Sequence, residues 1–480
     1  MSSMEEVLVV KNLKTQFFIY EGVVKALEDV SFTLRKGEVL GLVGETGCGK
    51  SVTAYSISRL IPDPPGRIVG GEVKMGNLDL LRNINEEAKL VQKKRIKIKH
   101  NYKVIRNNEF FFNTIRGKYI SMIFQEPMAA LNPVYTVEDQ IAETLLLHNR
   151  TRLLKIMKSA SEHIPELERW RESGEIGELQ GEIGEEIRKI KSTARGNESV
   201  RIHQDLLIEG GTRFSRKKEK YEEMLKKSIE HDQLEDKLLT DPDRNSQQQI
   251  IKKLAKESKK INLIKMSKKM KRNTKDPLLI EARRECFGLL ESVGIPNPHG
   301  VLKNYPHELS GGMLQRVTIS IALANNPKIL IADEPTTALD VTVQAQILRL
   351  LRELQDAIGT SIILITHDLG VIAETCNRVA VMYAGNIVET AEVKELFRNP
   401  KHPYTIGLLQ SIPRVDDPNK ALKTIPGNVP NLIHPPEGCR FNPRCQFAFD
   451  RCKTEKPMTV EVSEGHTVAC HLFSGKVIPE

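Results

Sequence analysis

The chain has 480 residues, 28% of them charged, and a formal net charge of +9. That length allows a large core and more than one domain. No apolar run reaches the roughly 18 residues of a membrane span, and no signal-peptide pattern precedes Val7. The expectation is a soluble or peripheral protein whose membrane work falls to partners.

The charge is uneven. About +7 lies within residues 85–118 and about +8 within 149–280, and the remainder is slightly acidic. A basic chain points to nucleic acid or an anionic membrane. Here the excess sits in two segments that look inserted.

An antiparallel layer is predicted over residues 5–35. The apolar run Val39-Leu40-Gly41-Leu42-Val43 then reads as a buried strand. It delivers Gly44-Glu45-Thr46-Gly47-Cys48-Gly49-Lys50-Ser51, followed by Val52, which fits the pattern G-x-x-x-x-G-K-[ST]. The glycines let backbone N–H groups converge on phosphate oxygens. Lys50 would reach the β/γ-phosphates, and the Ser51 hydroxyl would ligate Mg²⁺. Strand, turn and helix start together imply a nucleoside triphosphate site.

The strand around Gly70-Gly71-Glu72-Val73 is expected beside these in a mostly parallel sheet. The basic stretch Lys93-Lys94-Arg95-Ile96-Lys97-Ile98-Lys99 follows, then Ile123-Phe124-Gln125-Glu126-Pro127. Between His148 and Glu281 about four residues in ten are charged, with helical candidates at 217–239 and 246–272. The second has only a loose apolar stripe of Ile250, Ile251, Leu254, Ile261 and Leu263-Ile264, and Gly174, Gly177, Gly181 and Gly184 interrupt the earlier acidic part. The segment is expected as a solvated helical hairpin, or as a basic arm touching anionic headgroups or a partner.

Leu309-Ser310-Gly311-Gly312-Met313-Leu314-Gln315-Arg316 comes next, and 13 residues after Arg316 begins the strand-like Ile329-Leu330-Ile331-Ala332, ending at Asp333-Glu334-Pro335. Two acids at a strand end beside a phosphate loop have separate jobs. Asp333 can hold Mg²⁺ and Glu334 can polarise an attacking water. Thr337-Ala338-Leu339-Asp340 follows, then the strand-like Ile362-Ile363-Leu364-Ile365-Thr366, ending at His367-Asp368. Four of the seven cysteines crowd the end of the chain: Cys439, Cys445, Cys452 and Cys470, spaced C-x5-C-x6-C-x17-C. Two structural disulfides are not expected in a chain without a secretory pattern, and four thiolates in a turn-rich tail suit tetrahedral metal or a cubane cluster. Spacing alone leaves zinc, iron–sulfur and free or oxidised thiols open.

In this order and spacing the motifs resemble the nucleotide-binding subunit of an ABC transporter. The resemblance implies an α/β fold: an ABC ATPase core with a RecA-like mixed sheet, an antiparallel β layer and a helical subdomain. It places the cassette at residues 1–390, with the basic insertion 85–118 and a helical subdomain over 125–325 that includes insertion 149–280. Residues 391–480 are then a separate small module. Gln125 sits at the family's Q-loop glutamine, a further Mg²⁺ ligand, and Phe17 where the family sets an aromatic ring on adenine, with Tyr20 as the alternative ring. Glu334, His367 and Gln125 are implied as catalytic. Ser310, Gly311, Gly312 and Gln315 are implied to meet the ATP of a partner cassette, with Asp340 in the D-loop.

Further stretches narrow the branch. Met128-Ala129-Ala130-Leu131-Asn132-Pro133, Asp340-Val341-Thr342-Val343-Gln344-Ala345-Gln346 and the tail from Pro403-Tyr404-Thr405 through Ile425-Pro426-Gly427-Asn428-Val429-Pro430 to Cys470 resemble oligopeptide/dipeptide and nickel importer ATPases. Some of these carry a [4Fe-4S] cluster, so Cys439, Cys445, Cys452 and Cys470 are implied as its ligands, with Zn²⁺ the alternative. The implied protein is an ATPase of peptide uptake, peripheral at the cytoplasmic face. It would work with two permease subunits, a second ABC ATPase and, indirectly, a substrate-binding protein. Nickel chelates and oligosaccharides are alternative cargoes. A soluble ABC ATPase of DNA repair or translation would share the core motifs. Such proteins tend to carry two cassettes or a long coiled-coil arm, whereas this chain has one cassette and no sustained heptads, and no specific nucleic acid is expected. Lys50, Glu334 and His367 together argue against a dead site.

Overall fold

In a computed structural model of the chain, residues 5–92, 96–177, 179–194, 196–260, 275–337, 339–411 and 424–474 are described. The basic run 93–95 and the end of the predicted helix 246–272 lie outside them. The chain divides into two units. One comprises Met1–Arg116, Lys328–Thr336 and Leu351–Glu480, the other Gly117–Pro327 and Thr337–Leu350.

The first unit is built on strands Val39–Val43, Ile329–Asp333 and Ser361–Thr366, every residue of which is buried. Such unbroken apolar runs belong to parallel strands covered on both faces. Ser361–Thr366 lies between the other two, parallel to both, with Thr366 opposite Val43 and Ile365 opposite Asp333. Their carboxyl ends are therefore level. Arg378–Tyr383 adds a further parallel strand beside Val39–Val43, and Asn386–Glu392 returns antiparallel to it. Glu6–Ile19 pairs antiparallel with Gly22–Arg35 and with Gly66–Met75. The strand holding Val73 thus sits in the antiparallel layer, opposite Val10, and not in the parallel sheet where it was expected. Successive residues there alternate between faces, as a layer with one covered side requires.

The basic insertion is anchored in this unit. Helix Tyr102–Ile115 buries Phe111 and Phe112, and the guanidinium groups of Arg59 and Arg116 lie 5.4 and 5.2 Å from the Phe112 ring centre. The tail also departs from expectation, because it is not a separate small module. Hairpin Thr459–Ser463 and His466–Ala469 pairs with Asn386–Glu392, Val468 opposite Glu389. Tyr404 and Phe441 share one apolar cluster with Val43, Val379, Val381 and Tyr383. A turn-rich tail with few apolar residues gains its core by borrowing the sheet's.

The second unit is helical, and here the insertion reading is overturned. Residues 150–260 form six helices, not a projecting hairpin: Arg150–Glu162, Ile164–Ser173, Gly181–Thr193, Asn197–Ser215, Lys218–Thr240 and Arg244–Lys260. They bury Leu153, Met157, Trp170, Ile187, Leu207 and Phe214. Gly174 ends one helix at φ 74°, but Gly184 lies inside the next. Gly211 allows close helix crossing, since a Cβ there would stand 2.9 Å from the Ala160 carbonyl carbon.

Some of the charges that suggested a solvated arm, Glu186 and Arg152 among them, are paired against buried charges of the helix that follows the insertion. Arg284 on helix Pro277–Ser292, almost wholly buried, donates to Glu281, Glu285 and Glu186 at 2.6, 2.6 and 2.8 Å. Arg152 and Lys189 also reach Glu285, holding its carboxyl below the usual range against the opposing effect of burial. Burial pushes Glu281 up to about 7 and, with the Arg284 cation, His203 down to about 4. Removing one member of such a network strands the others. Arg284→Ala is expected to destabilise the protein by about 3–5 kcal/mol, read as a lowered unfolding midpoint. Excision of 150–275 is expected to yield insoluble protein. A soluble, helical deletion variant would show that the insertion is dispensable.

Candidate functional site

Because the parallel strands end level, the loops that follow them meet along one edge of the first unit, the usual ligand crevice of such sheets. The glycine-rich loop leaves Val43 and enters helix Lys50–Ile57. Close approach explains two of its glycines. A Cβ on Gly44 would lie 2.1 Å from the Met382 carbonyl oxygen, and one on Gly49 3.0 Å from that of Ala26. Gly49 also has φ 106°, which glycine adopts without strain. Thr46 and Gly47 stand exposed at the tip, while Cys48 is buried and its thiol is pushed up by that burial. Val52 is half-buried in the first turn of the helix. Lys50 folds back over the loop, its Nζ donating to the carbonyls of Gly44 at 2.8 Å and Glu45 at 3.2 Å.

Ser51 Oγ donates to Asp333 Oδ1 at 3.1 Å. Asp333 is fully buried, and its Oδ2 is a buried atom without a hydrogen-bond partner. Burial pushes its carboxyl up to about 6. A desolvated, half-satisfied carboxylate beside a hydroxyl is a donor set that fits Mg²⁺, whose charge would offset the desolvation cost. Glu334 follows in a left-handed conformation at φ 46°, its N–H donating to Ile365 O at 2.9 Å. Its Oε1 lies 3.2 Å from His367 Nδ1 at the end of the neighbouring strand. A non-glycine residue at positive φ costs about 1–2 kcal/mol, and the sheet holds it there.

The remaining predicted residues fall as follows. Phe17 is half-buried and packs on Gly66, whose Cβ would lie 2.7 Å from its ring, while Tyr20 is 83% exposed at the hairpin turn. In the helical unit, Gln125 is exposed just beyond strand Ile120–Ile123. Ser310 caps helix Gly311–Leu323, its Oγ accepting from the Met313 N–H at 3.4 Å, and Ser310 and Gly311 are exposed while Gly312 is half-buried. Gln315 is the exception. It is only 3% exposed, one turn along the inward face, so it does not share the surface of Ser310. Asp340 caps the next helix, accepting from Val343 N–H at 3.0 Å.

All four tail cysteines are free thiols lining one small enclosed pocket, with His402 and His471 beside them. Burial, reinforced by the neighbouring sulfurs, pushes Cys439 and Cys470 up to about 11. A buried set of converging thiols fits a group that takes thiolates and releases their protons. Another trio, His231, Asp232 and Glu235, has ligating atoms within 4.8 Å, but Lys118 already pairs with Asp232 at 3.4 Å and Glu235 at 2.5 Å.

Sequence reasoning missed two residues at the loop. Tyr404 Oη accepts the Glu45 N–H at 2.9 Å, and Arg444 binds the Glu45 carboxylate at 2.6 and 3.0 Å. Each is more than 350 residues from Glu45 in the chain, and no local pattern announces either contact.

A phosphate loop, a buried Asp beside its serine and a Glu–His pair on level strand ends define a P-loop ATPase of the ABC type. The ABC transporter family matches residues 27–337, and the oligopeptide/dipeptide transporter C-terminal region matches 388–452. The chain belongs to the ATP-binding subunits of the oligopeptide/dipeptide ABC importer family, ATPases coupled to transport. It is 35% identical over 470 residues to the oligopeptide transport ATP-binding protein AppD of Bacillus subtilis, covering 98% of each chain. It is 36% identical over 469 residues to the dipeptide transport ATP-binding protein DppD of the same organism, covering 98% of this chain and 95% of that one. A solved dimer of the bacterial cassette MJ0796 matches at 18% identity and TM-score 0.43, covering 80% of this chain and 98% of that one.

The two kinds of glycine in the loop separate experimentally. Gly47 has φ 80° with open space around it, so Gly47→Ala is expected to cost only the left-handed strain, about 1–2 kcal/mol. Gly44→Ala drives a methyl into backbone and is expected to lower the unfolding midpoint of the nucleotide-free protein further. Equal midpoints for the two variants would contradict the packing described.

Proposed function

We propose that this chain hydrolyses ATP to power uptake of di- and oligopeptides through partner permeases, docked peripherally on the cytoplasmic face of the membrane. The observation that carries the ATPase mechanism is a double pairing: Ser51, in the first turn of helix Lys50–Ile57, with Asp333, and Glu334 with His367 on neighbouring strand ends. The peptide cargo rests on the tail and on the names of the relatives. Lys50 and the loop N–H groups bind the phosphates. Ser51 and Asp333 would hold Mg²⁺, with Gln125 the further ligand implied by the family resemblance, and the ion would supply charge neutralisation at the β/γ-phosphates. Glu334 accepts the proton of the attacking water, and His367 fixes the carboxylate that receives it. Phe17 stacks on adenine. Ser310, Gly311 and Gly312 supply donors to the ATP of a second cassette, and Asp340 lies at the contact between cassettes.

In the tail, Cys439, Cys445, Cys452 and Cys470 hold a [4Fe-4S] cluster. This reading rests on the resemblance of the tail to that of importer ATPases that carry such a cluster, with Zn²⁺ the alternative.

Glu334→Gln is expected to bind ATP normally and to lower turnover in the assembled transporter by about 10²-fold or more. Undiminished turnover would remove Glu334 from its role. Lys50→Ala is expected to fail at ATP binding itself, and normal affinity would contradict the loop assignment. Protein purified without oxygen is expected to be brown, with about four irons and four sulfides per chain, and Cys452→Ser to lose the colour. Colourless protein with one zinc would replace the cluster by zinc. Metal-free protein with four alkylatable thiols in the folded state would remove both.

A further inference from the structure

Glu45, the second residue of the phosphate loop, is held from the tail at both its backbone and its carboxylate. Arg444 makes a two-pronged pair with the carboxylate, Nη1 to Oε2 at 2.6 Å and Nη2 to Oε1 at 3.0 Å. Tyr404 Oη accepts the Glu45 N–H at 2.9 Å. That N–H belongs to the same planar peptide unit as the Gly44 carbonyl, which accepts from Lys50 Nζ at 2.8 Å. One rigid plane therefore connects Tyr404 at one end to the Lys50 ammonium at the other, and the next carbonyl, on Glu45, accepts from Lys50 as well.

Arg444 is itself fixed. Its Nε donates to Pro426 O at 2.8 Å, its Nη1 reaches Tyr383 Oη at 3.3 Å, and its side chain is 5% exposed. Tyr383, Tyr404 and Phe441 pack ring against ring behind it, with centroids 4.7 to 5.5 Å apart. Arg444 also directly precedes Cys445. Without the guanidinium, a free carboxylate would stand in a loop whose task is to receive polyphosphate, and like charges repel there.

We propose that Arg444 is a positioning residue for the ATPase reaction: by neutralising and fixing Glu45 it orients the Gly44–Glu45 peptide and Lys50, so that the four-cysteine tail sets nucleotide affinity. The inference rests on the reading of Gly44–Ser51 as the phosphate loop. It does not depend on which metal the cysteines hold.

The test measures ATP affinity of the full-length chain, with metal content determined in the same samples, and KM and kcat in the assembled transporter. Arg444→Gln is expected to weaken ATP binding about tenfold, raising KM while leaving kcat and metal content nearly unchanged. Because the arginine acts through Glu45, adding Glu45→Gln to Arg444→Gln is expected to restore part of the affinity. Arg444→Lys, which keeps the charge but not the fork, is expected to fall between wild type and Arg444→Gln. Wild-type affinity in Arg444→Gln, or further loss in the double variant, would overturn the proposal. Should Arg444→Gln be insoluble, Arg444→Lys and Glu45→Gln decide, and wild-type affinity in Arg444→Lys overturns it. Lys50→Ala distinguishes the two levels: if it too binds ATP normally, the loop reading fails, and if only the Arg444 variants do, this inference alone fails.

Discussion

The candidate site depends on one constraint, the register of the parallel strands. Thr366 opposite Val43 and Ile365 opposite Asp333 bring three loop starts level, although the first is far from the other two in the chain. A one-residue slip would turn every side chain of the slipped strand to the opposite face and part Ser51 from Asp333. The strands resist slipping because every residue is buried, so any shift exposes or overpacks apolar side chains on both faces at once. Glu334 shows what that rigidity is used for. Its left-handed backbone is one that glycine or asparagine would adopt more easily, yet the sheet imposes it on a carboxylate and aims Oε1 at His367.

This also explains which parts were legible in the sequence. The phosphate loop, the Asp333–Glu334 pair and His367 each follow a short apolar run and are recognisable by local order, because strand ends are local features. Val73 was misplaced because a strand's partners are not written in its own residues. The burial of Gln315 was hidden for a similar reason: Ser310 and Gly311 are exposed, but a helix turns later positions inward. The insertion misled differently. Glu186 and Arg152 count as charges in any composition, and composition cannot distinguish charges facing water from charges facing one another.

Those buried pairs bear on what the helical insertion contributes. Ion pairs in a low-dielectric interior seldom add much net stability, but they penalise wrong arrangements severely, because every misplaced partner leaves an uncompensated charge. Arg284 collects two partners from the insertion, Glu186 and His203, and two from its own helix, Glu281 and Glu285. The insertion helices are thus fixed in rotation and height against helix Pro277–Ser292. Buried apolar side chains such as Leu207 and Ile187 alone would tolerate sliding. This makes the added helices part of the frame that leads to Ser310 and not an ornament hung upon it.

The tail uses the same logic with a shorter lever. Its own residues are too polar and too rich in turns to pack alone, so it takes its core from the sheet through Tyr404 and Phe441 and returns two polar contacts to the loop beside that core. An apolar contact at Glu45 would hold the loop in place but could not fix the direction of a peptide plane. A hydrogen bond to the N–H can, because turning the plane would break the Tyr404 and Lys50 bonds together. The carboxylate adds a charge that only a forked cation satisfies at both oxygens. Since Arg444 and Cys445 are consecutive, whatever ties the four sulfurs also limits where the guanidinium can go. The tail is in this sense an extension of the phosphate loop, reached through space and not along the chain.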